Sequence, residues 1–258
     1  MENKMERLEK IFKNTLVIDI SDRDSLVIFS DLHMGDGSKM DDFLHNGTFF
    51  QHILEHYYEK KDYKLILNGD IDELNRFSLK AVACRWQEVY NVFKRFHDQQ
   101  RLFKLVGNHD FELSLRKRTP GDIPIQEALK LRYHDHYLLI FHGHQANHKY
   151  YNKFHWFIKI FLRLFANGLR IRNYSVAQDK RKKYKIEKRV YDFARKKKIM
   201  ALIGHTHRPL FESLSKQETL KFKIENLCRE LTGSSHYRVV LKEESLDYMF
   251  TRIRLLSD

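Results

Sequence analysis

The chain has 258 residues, 42% of them hydrophobic and 13% aromatic, which suits one sizeable core and argues against disorder. Its two cysteines, Cys84 and Cys228, stand far apart and in no C-x-x-C pair, which argues against a disulfide framework and for a reducing compartment. The net charge is +13, yet residues 145–200 hold 17 Lys and Arg against three acids, so the remainder, with 30 bases and 31 acids, is nearly balanced.

In chain order, residues 3–13 predict a short amphipathic helix, with no apolar stretch and small-residue cleavage site that would mark a secretory signal. Residues 15–20 and 26–29 predict strands, the second running into Ser30-Asp31-Leu32-His33. Helical spacing covers 42–58, and the apolar run Leu65-Ile66-Leu67 then ends in Asn68-Gly69-Asp70. A helix over 78–99 precedes the strand 102–106, which ends in Gly107-Asn108-His109-Asp110. Residues 137–141 lead into His142-Gly143-His144, and 199–203 into Gly204-His205-Thr206-His207. Strand-like runs follow at 237–241 and 248–255. Segment 145–200 interrupts this rhythm and reads as an inserted helical cap within a single domain, 1–258.

The recurrent unit is a short apolar strand whose C-terminal end delivers Asp, Asn or His. Loops at such ends are free of the sheet's hydrogen-bond ladder, which is why layered α/β folds place ligand sites there. The residues delivered are Asp31, His33, Asp70, Asn108, His142, His205 and His207. Oxygen and imidazole donors without a thiolate suit divalent Mn, Fe, Zn or Mg, and seven of them are about what a metal pair sharing one carboxylate requires. A single histidine of this kind is more often an ordinary hydrogen-bonded residue; the succession at consecutive strand ends reverses that judgement. Asp36, Asp41 and Asp42 read as loop or helix-cap carboxylates, and His45, His52, His56 and His97 as surface or packing residues.

The motifs Asp31-Leu32-His33, Gly69-Asp70-Ile71-Asp72-Glu73, Gly107-Asn108-His109-Asp110, His142-Gly143-His144 and Gly204-His205-Thr206-His207 together resemble the calcineurin-like metallophosphoesterases, in order and in spacing. The resemblance implies an α/β fold, a two-sheet β-sandwich flanked by helices, and a dinuclear metal-dependent phosphoesterase that cleaves a phosphodiester or pyrophosphate bond. It implies Asp31, His33 and His207 on the first metal, Asp70 bridging, and Asn108, His142 and His205 on the second, with manganese the first expectation. The attacking group would be a metal-bridging hydroxide. It further implies a catalytic group built from His109, with Glu73 orienting it and Asp110 beside it; His144 would line the site without binding metal. The family often has Asp where this chain has Glu73, so a longer arm is expected to do the orienting. Many relatives follow the last motif with an Asn-x-Gly-Ser turn, for which this chain offers only Thr232-Gly233-Ser234-Ser235.

Within the basic segment, 149–167 predicts a helix with a broad apolar face made by Tyr150, Phe154, Phe157, Ile158, Phe161, Leu164 and Phe165. A second helix, 177–197, carries Ile186, Val190 and Phe193 on one stripe amid Lys and Arg. Three readings stand side by side: an anionic membrane surface, nucleic-acid phosphates, or apolar faces packed on the domain with solvated charges. The placement of the cap resembles the lid of the UDP-2,3-diacylglucosamine pyrophosphatases of lipid A synthesis, which implies a phosphate-containing glycolipid and a cytoplasmic protein peripheral to the membrane. Against that, the members of that group carry Arg where this chain has His109. A soluble or nucleic-acid phosphodiesterase is the alternative. Leu74-Asn75 and Asp110 replace the Arg-Gly and Glu of the protein phosphatases, and a non-catalytic module should have lost ligands that are all present here.

Overall fold

The computed structural model describes residues 4–115, 119–147 and 180–207, which all fall within one compact unit, Met1–Arg208. The expectations for 149–167, 232–235, 237–241 and 248–255 lie outside the described residues.

Among the described residues, eight strands form two four-stranded sheets. The first sheet, entirely parallel, has the order β2 (Leu26–Phe29), β3 (Lys64–Asn68), β4 (Leu102–Leu105), β5 (Ile125–Gln126). The second runs β1 (Val17–Asp19), β6 (Ala128–Tyr133), β7 (His136–Phe141), β8 (Met200–Leu202), parallel except for the β6–β7 hairpin. The period-2 alternation of the strands sorts their side chains into three cores. Ile28, Ile66 and Leu105 of the first sheet meet Leu129, Leu131 and Ile140 of the second in one apolar cluster, so the sheets face each other. The opposite face of the first sheet, with Phe29, Leu65 and Leu67, packs on α2 (Gly47–Ile53), α3 (Leu79–Arg85) and α4 (Gln87–Asp98). That of the second, with Leu139 and Phe141, packs on α1 (Lys4–Asn14) and α5 (Lys180–Lys197). The architecture is therefore α/β, two mostly parallel sheets flanked by helices.

Three differences from the sequence expectations have physical reasons. The helix expected over 42–58 begins only at Gly47, because Asp41 accepts backbone N–H groups of Gly35, Gly37 and Phe43 and so holds the preceding residues in a turn. The helix expected over 78–99 is divided at Trp86 (φ −105°, ψ 28°), whose indole N–H donates to the Gly35 carbonyl at 2.9 Å. Strand β6 was not anticipated, although Leu129 and Leu131 alternate with Lys130 and Arg132 and a tight turn at His134 (φ 49°) follows.

The stripe Ile186, Val190, Phe193 of α5 is buried with Leu8 and Ile11 of α1. For this part of the basic segment the apolar face belongs to the domain core, and each such side chain contributes roughly 1.5–3 kcal/mol. Tyr184 and Tyr191 of α5 remain exposed among its Lys and Arg. Among the described residues, no helix is long and apolar enough to cross a membrane.

Candidate metal centre

Parallel pairing points the C-terminal ends of β2, β3 and β4 the same way, and β7 and β8 likewise. The seven residues singled out in the sequence all follow these five ends. The chain must leave each strand abruptly to aim a side chain across its end, and it does so in the left-handed region: Asp31 (φ 56°), His33 (φ 52°), Asp70 (φ 51°), His205 (φ 64°) and His207 (φ 50°). Such conformations cost of order 1–3 kcal/mol each and persist where surrounding contacts over-determine them. Backbone bonds supply those contacts. The Asp31 N–H donates to the Gly69 carbonyl, the His33 N–H to that of Asp70, and the Gly204 N–H to that of His142.

The glycines of the motifs mark where the loops touch. A Cβ on Gly107 would lie 2.2 Å from the Asp70 nitrogen and 2.1 Å from its Oδ1; one on Gly204 would lie 2.1 Å from Ser30 Oγ. Only a residue without a side chain allows this approach.

Among the described residues the donor atoms collect into three trios whose members lie within 4.8 Å of one another: Asp31, His33 and His207; Asp70, His142 and His205; and His33, Glu73 and His109, which are hydrogen-bonded to one another through Glu73. His207 Nε2 is 3.1 Å from Asp31 Oδ1, and His142 Nε2 is 3.1 Å from Asp70 Oδ2 and 3.9 Å from Asp31 Oδ1, which brings the first two trios side by side. Asn108 follows β4, nearly buried, beside His109, whose N–H donates to Asp70 Oδ1 at 2.7 Å.

Tautomers follow from the partners. A carbonyl or carboxylate oxygen only accepts, so Nδ1 of His142, 2.9 Å from the Asn68 carbonyl, carries a hydrogen, and so does Nδ1 of His33, 2.9 Å from Glu73 Oε2. In the neutral rings, Nε2 then presents a lone pair. That of His33 is buried without a hydrogen-bond partner among the described residues, and that of His142 faces a carboxylate. Lone pairs of imidazole and carboxylate aimed at one another call for a cation between them, either a proton or a metal ion. The donor set therefore fits a pair of divalent ions with oxygen and nitrogen preference.

Without an ion, a proton would take that place. Burial works to raise the Asp70 carboxyl and to lower His142, but their mutual attraction prevails: Asp70 is held well below its ordinary value and His142 is pushed up to about 9. Burial, then the neighbouring His142, holds His205 down at about 3, as a neutral ligand would require. Glu73 stays ionised, held at about 2 against burial by its bonds to His109 and His33.

The residues expected to act with His109 also meet. Both oxygens of Glu73 lie 2.8 Å from His109 Nδ1, which fixes the ring with Nε2 3.9 Å from Asp70 Oδ2. The longer arm of Glu73 serves two imidazoles, His33 as well as His109. Asp110 is nearly buried, and its oxygens accept the N–H groups of Gly107 and Ile71, so it braces two loops and faces their backbone. Burial, then Asp70, raises its carboxyl to about 6. His144 lines the site as expected, buried, with its ring 5.5 Å from that of His142. Asp36 and Asp41 hold loop backbone, and Asp42 pairs with Arg76.

Sequence reasoning missed three contributors. Ser30 donates to Asp31 Oδ2 at 2.6 Å and to the Asn68 carbonyl at 2.9 Å. Asn68 orients His142 through its backbone. Lys104 is a buried cation in an apolar strand, and that interruption of the run Leu102-Phe103-Lys104-Leu105 was the available signal. No protein-family model matches the chain, and no curated protein matches it.

Proposed function

We propose that the protein is a dinuclear-metal phosphoesterase of the calcineurin-like type, hydrolysing a phosphodiester or pyrophosphate bond. The observation that carries this reading is the meeting of two N/O trios, one delivered mainly by the first sheet and one mainly by the second, with a Glu73-oriented His109 at their edge. Two opposed mostly parallel sheets flanked by helices support the same family's β-sandwich.

Asp31, His33 and His207 would hold one ion and Asn108, His142 and His205 the other, with Asp70 between them. Two divalent ions held there, manganese being the first expectation, would supply the acidity that activates an attacking water and the charge that offsets phosphoryl oxygens. The chain's own residues do the rest. Glu73 fixes the His109 tautomer, so that Nε2 offers a proton or hydrogen bond where a leaving oxygen departs. Asp110 and Ser30 keep the loops at their separations.

The basic residues of α5, flanked by exposed Tyr184 and Tyr191, favour an anionic substrate or surface, with a UDP-diacylglucosamine-like lipid at the cytoplasmic face the first candidate. The test is turnover by manganese-loaded protein on UDP-diacylglucosamine in mixed micelles against bis(p-nitrophenyl) phosphate in solution. UMP release from the lipid is the expected result. Cleavage of the soluble diester alone would keep the metal chemistry and transfer the substrate to soluble or nucleic-acid phosphodiesters; no turnover of either at full metal occupancy would leave a non-catalytic module.

A further inference from the structure

Beneath the metal centre lies a second polar cluster that none of the roles above uses. Lys104 Nζ donates to Asp72 Oδ2 at 2.6 Å, with the two side chains 1% and 0% exposed. The Tyr90 hydroxyl donates to Asp72 Oδ1 at 2.5 Å, and Lys104 Nζ sits 5.4 Å from the Tyr90 ring centre. Around them the helix-facing core is apolar, with Leu65, Leu67, Val89 and Phe93 fully or almost fully buried.

A buried ion pair is weak evidence for stability. Each ion gives up several kcal/mol of hydration, and apolar replacement of the whole group is often neutral or stabilising. What the group adds is direction. Asp72 sits between Asp70 and Glu73, and both its oxygens are held, one from β4 and one from α4. Its backbone pairs with Met34, directly after His33, where the Met34 N–H donates to the Ile71 carbonyl and the Glu73 N–H to that of Met34. One residue thus joins the loops after β2 and β3 to the strand that carries Asn108 and His109.

We infer that Asp72, Lys104 and Tyr90 are positioning residues that set the placement of Asp70 and Glu73, and through them the spacing of the two metal sites. The inference rests on the dinuclear reading for its metal readout, but one of its tests needs no metal. The variant is the triple replacement Asp72→Leu, Lys104→Met, Tyr90→Phe, which removes the two opposite charges together; the neighbouring buried Asp110, which loses the attraction of Lys104, keeps its bonds to the Gly107 and Ile71 N–H groups. Two measurements apply: hydrogen exchange of the His33 and His109 amides in metal-free protein, and titration with Mn²⁺ by calorimetry. Those amides report the placement directly, since they donate to the Asp70 carbonyl and carboxylate.

The expected result is an unchanged or raised melting temperature, exchange at least tenfold faster at His33 and His109 but not along β7, and Mn²⁺ affinity lowered 10–100-fold, the range typical for groups that orient metal ligands. Exchange and affinity both within twofold of wild type would overturn the proposal. Should the triple variant not fold, Tyr90→Phe deletes a single oxygen. A threefold or larger effect on both readouts supports the inference, and none overturns it. Wild-type protein that takes up no Mn²⁺ would refute the dinuclear reading, and the exchange measurement would still decide the positioning role.

Discussion

The ends of the two sheets contribute to one centre in different ways. At the end of the all-parallel sheet, Asp31, His33, Asp70 and His109 are tied together by side chains: Ser30 on Asp31, Glu73 on His33 and His109, Asp110 across two loops, and Lys104 and Tyr90 on Asp72. At the other end, His142 and His205 hang chiefly on backbone. A carbonyl of the neighbouring sheet orients His142, and the His205 N–H donates to Asp31 at 3.2 Å. His207, the last of the set, is 41% exposed in its side chain. One end holds its ligands in a closed polar network that limits their movement. The other borrows its order from the first: His142 and His205 are buried there, and of its three histidines His207 alone is open to solvent.

That contrast sets the order of expected effects. Asp70→Asn strikes the residue shared by both ends, so metal loading should fall and Mn²⁺-dependent turnover drop by about three orders of magnitude or more, the scale typical when a central electrostatic group is lost. Turnover within tenfold of wild type would break the dinuclear reading.

Smaller, and aimed at the difference itself, are Gly107→Ala and Gly204→Ala. The first Cβ meets backbone of Asp70, which cannot rotate away, whereas the second meets first the Ser30 hydroxyl, which can. Gly107→Ala should therefore cost about 1–3 kcal/mol in urea unfolding and Gly204→Ala less; the reverse order would mean that the second end is the stiffer.

Acid stability of the metal-free protein separates the two ends by pH. Folding holds His205 at about 3 against its ordinary 6.5, so the unfolded chain binds a proton first, and stability is lost as pH falls from 6.5 toward 3. Glu73 is held at about 2 against 4.5, so its contribution is complete above 4.5 and lost only below. Urea midpoints at pH 7, 5.5, 4 and 3 should show His205→Asn flattening the upper part of this decline and Glu73→Gln the lower. Coincident changes in both variants would show that the two ends titrate as one network.

Much of this centre was legible in the chain. Asp, Asn and His at the ends of apolar runs pointed to seven residues that the fold does bring to neighbouring strand ends, because a strand that must be buried announces itself by composition and the polar residues directly after it stand out. Most strands were equally plain; missed were the two-residue β5, too short to show a period, and β6, whose period-2 alternation of Leu with Lys and Arg was overlooked.

Tertiary structure alone decided the rest. The fate of the α5 stripe, the division of a long helix at Trp86, the second task of Glu73 and the burial of Lys104 against Asp72 all depend on which distant segments meet. Local sequence dictates secondary structure and which polar residues stand at the strand ends, since both are set by residue type and short-range spacing. The tautomers, the left-handed turns that aim the ligands and the network that steadies them arise only when five strand ends converge, because each is fixed by hydrogen bonds between residues that the chain holds tens of positions apart.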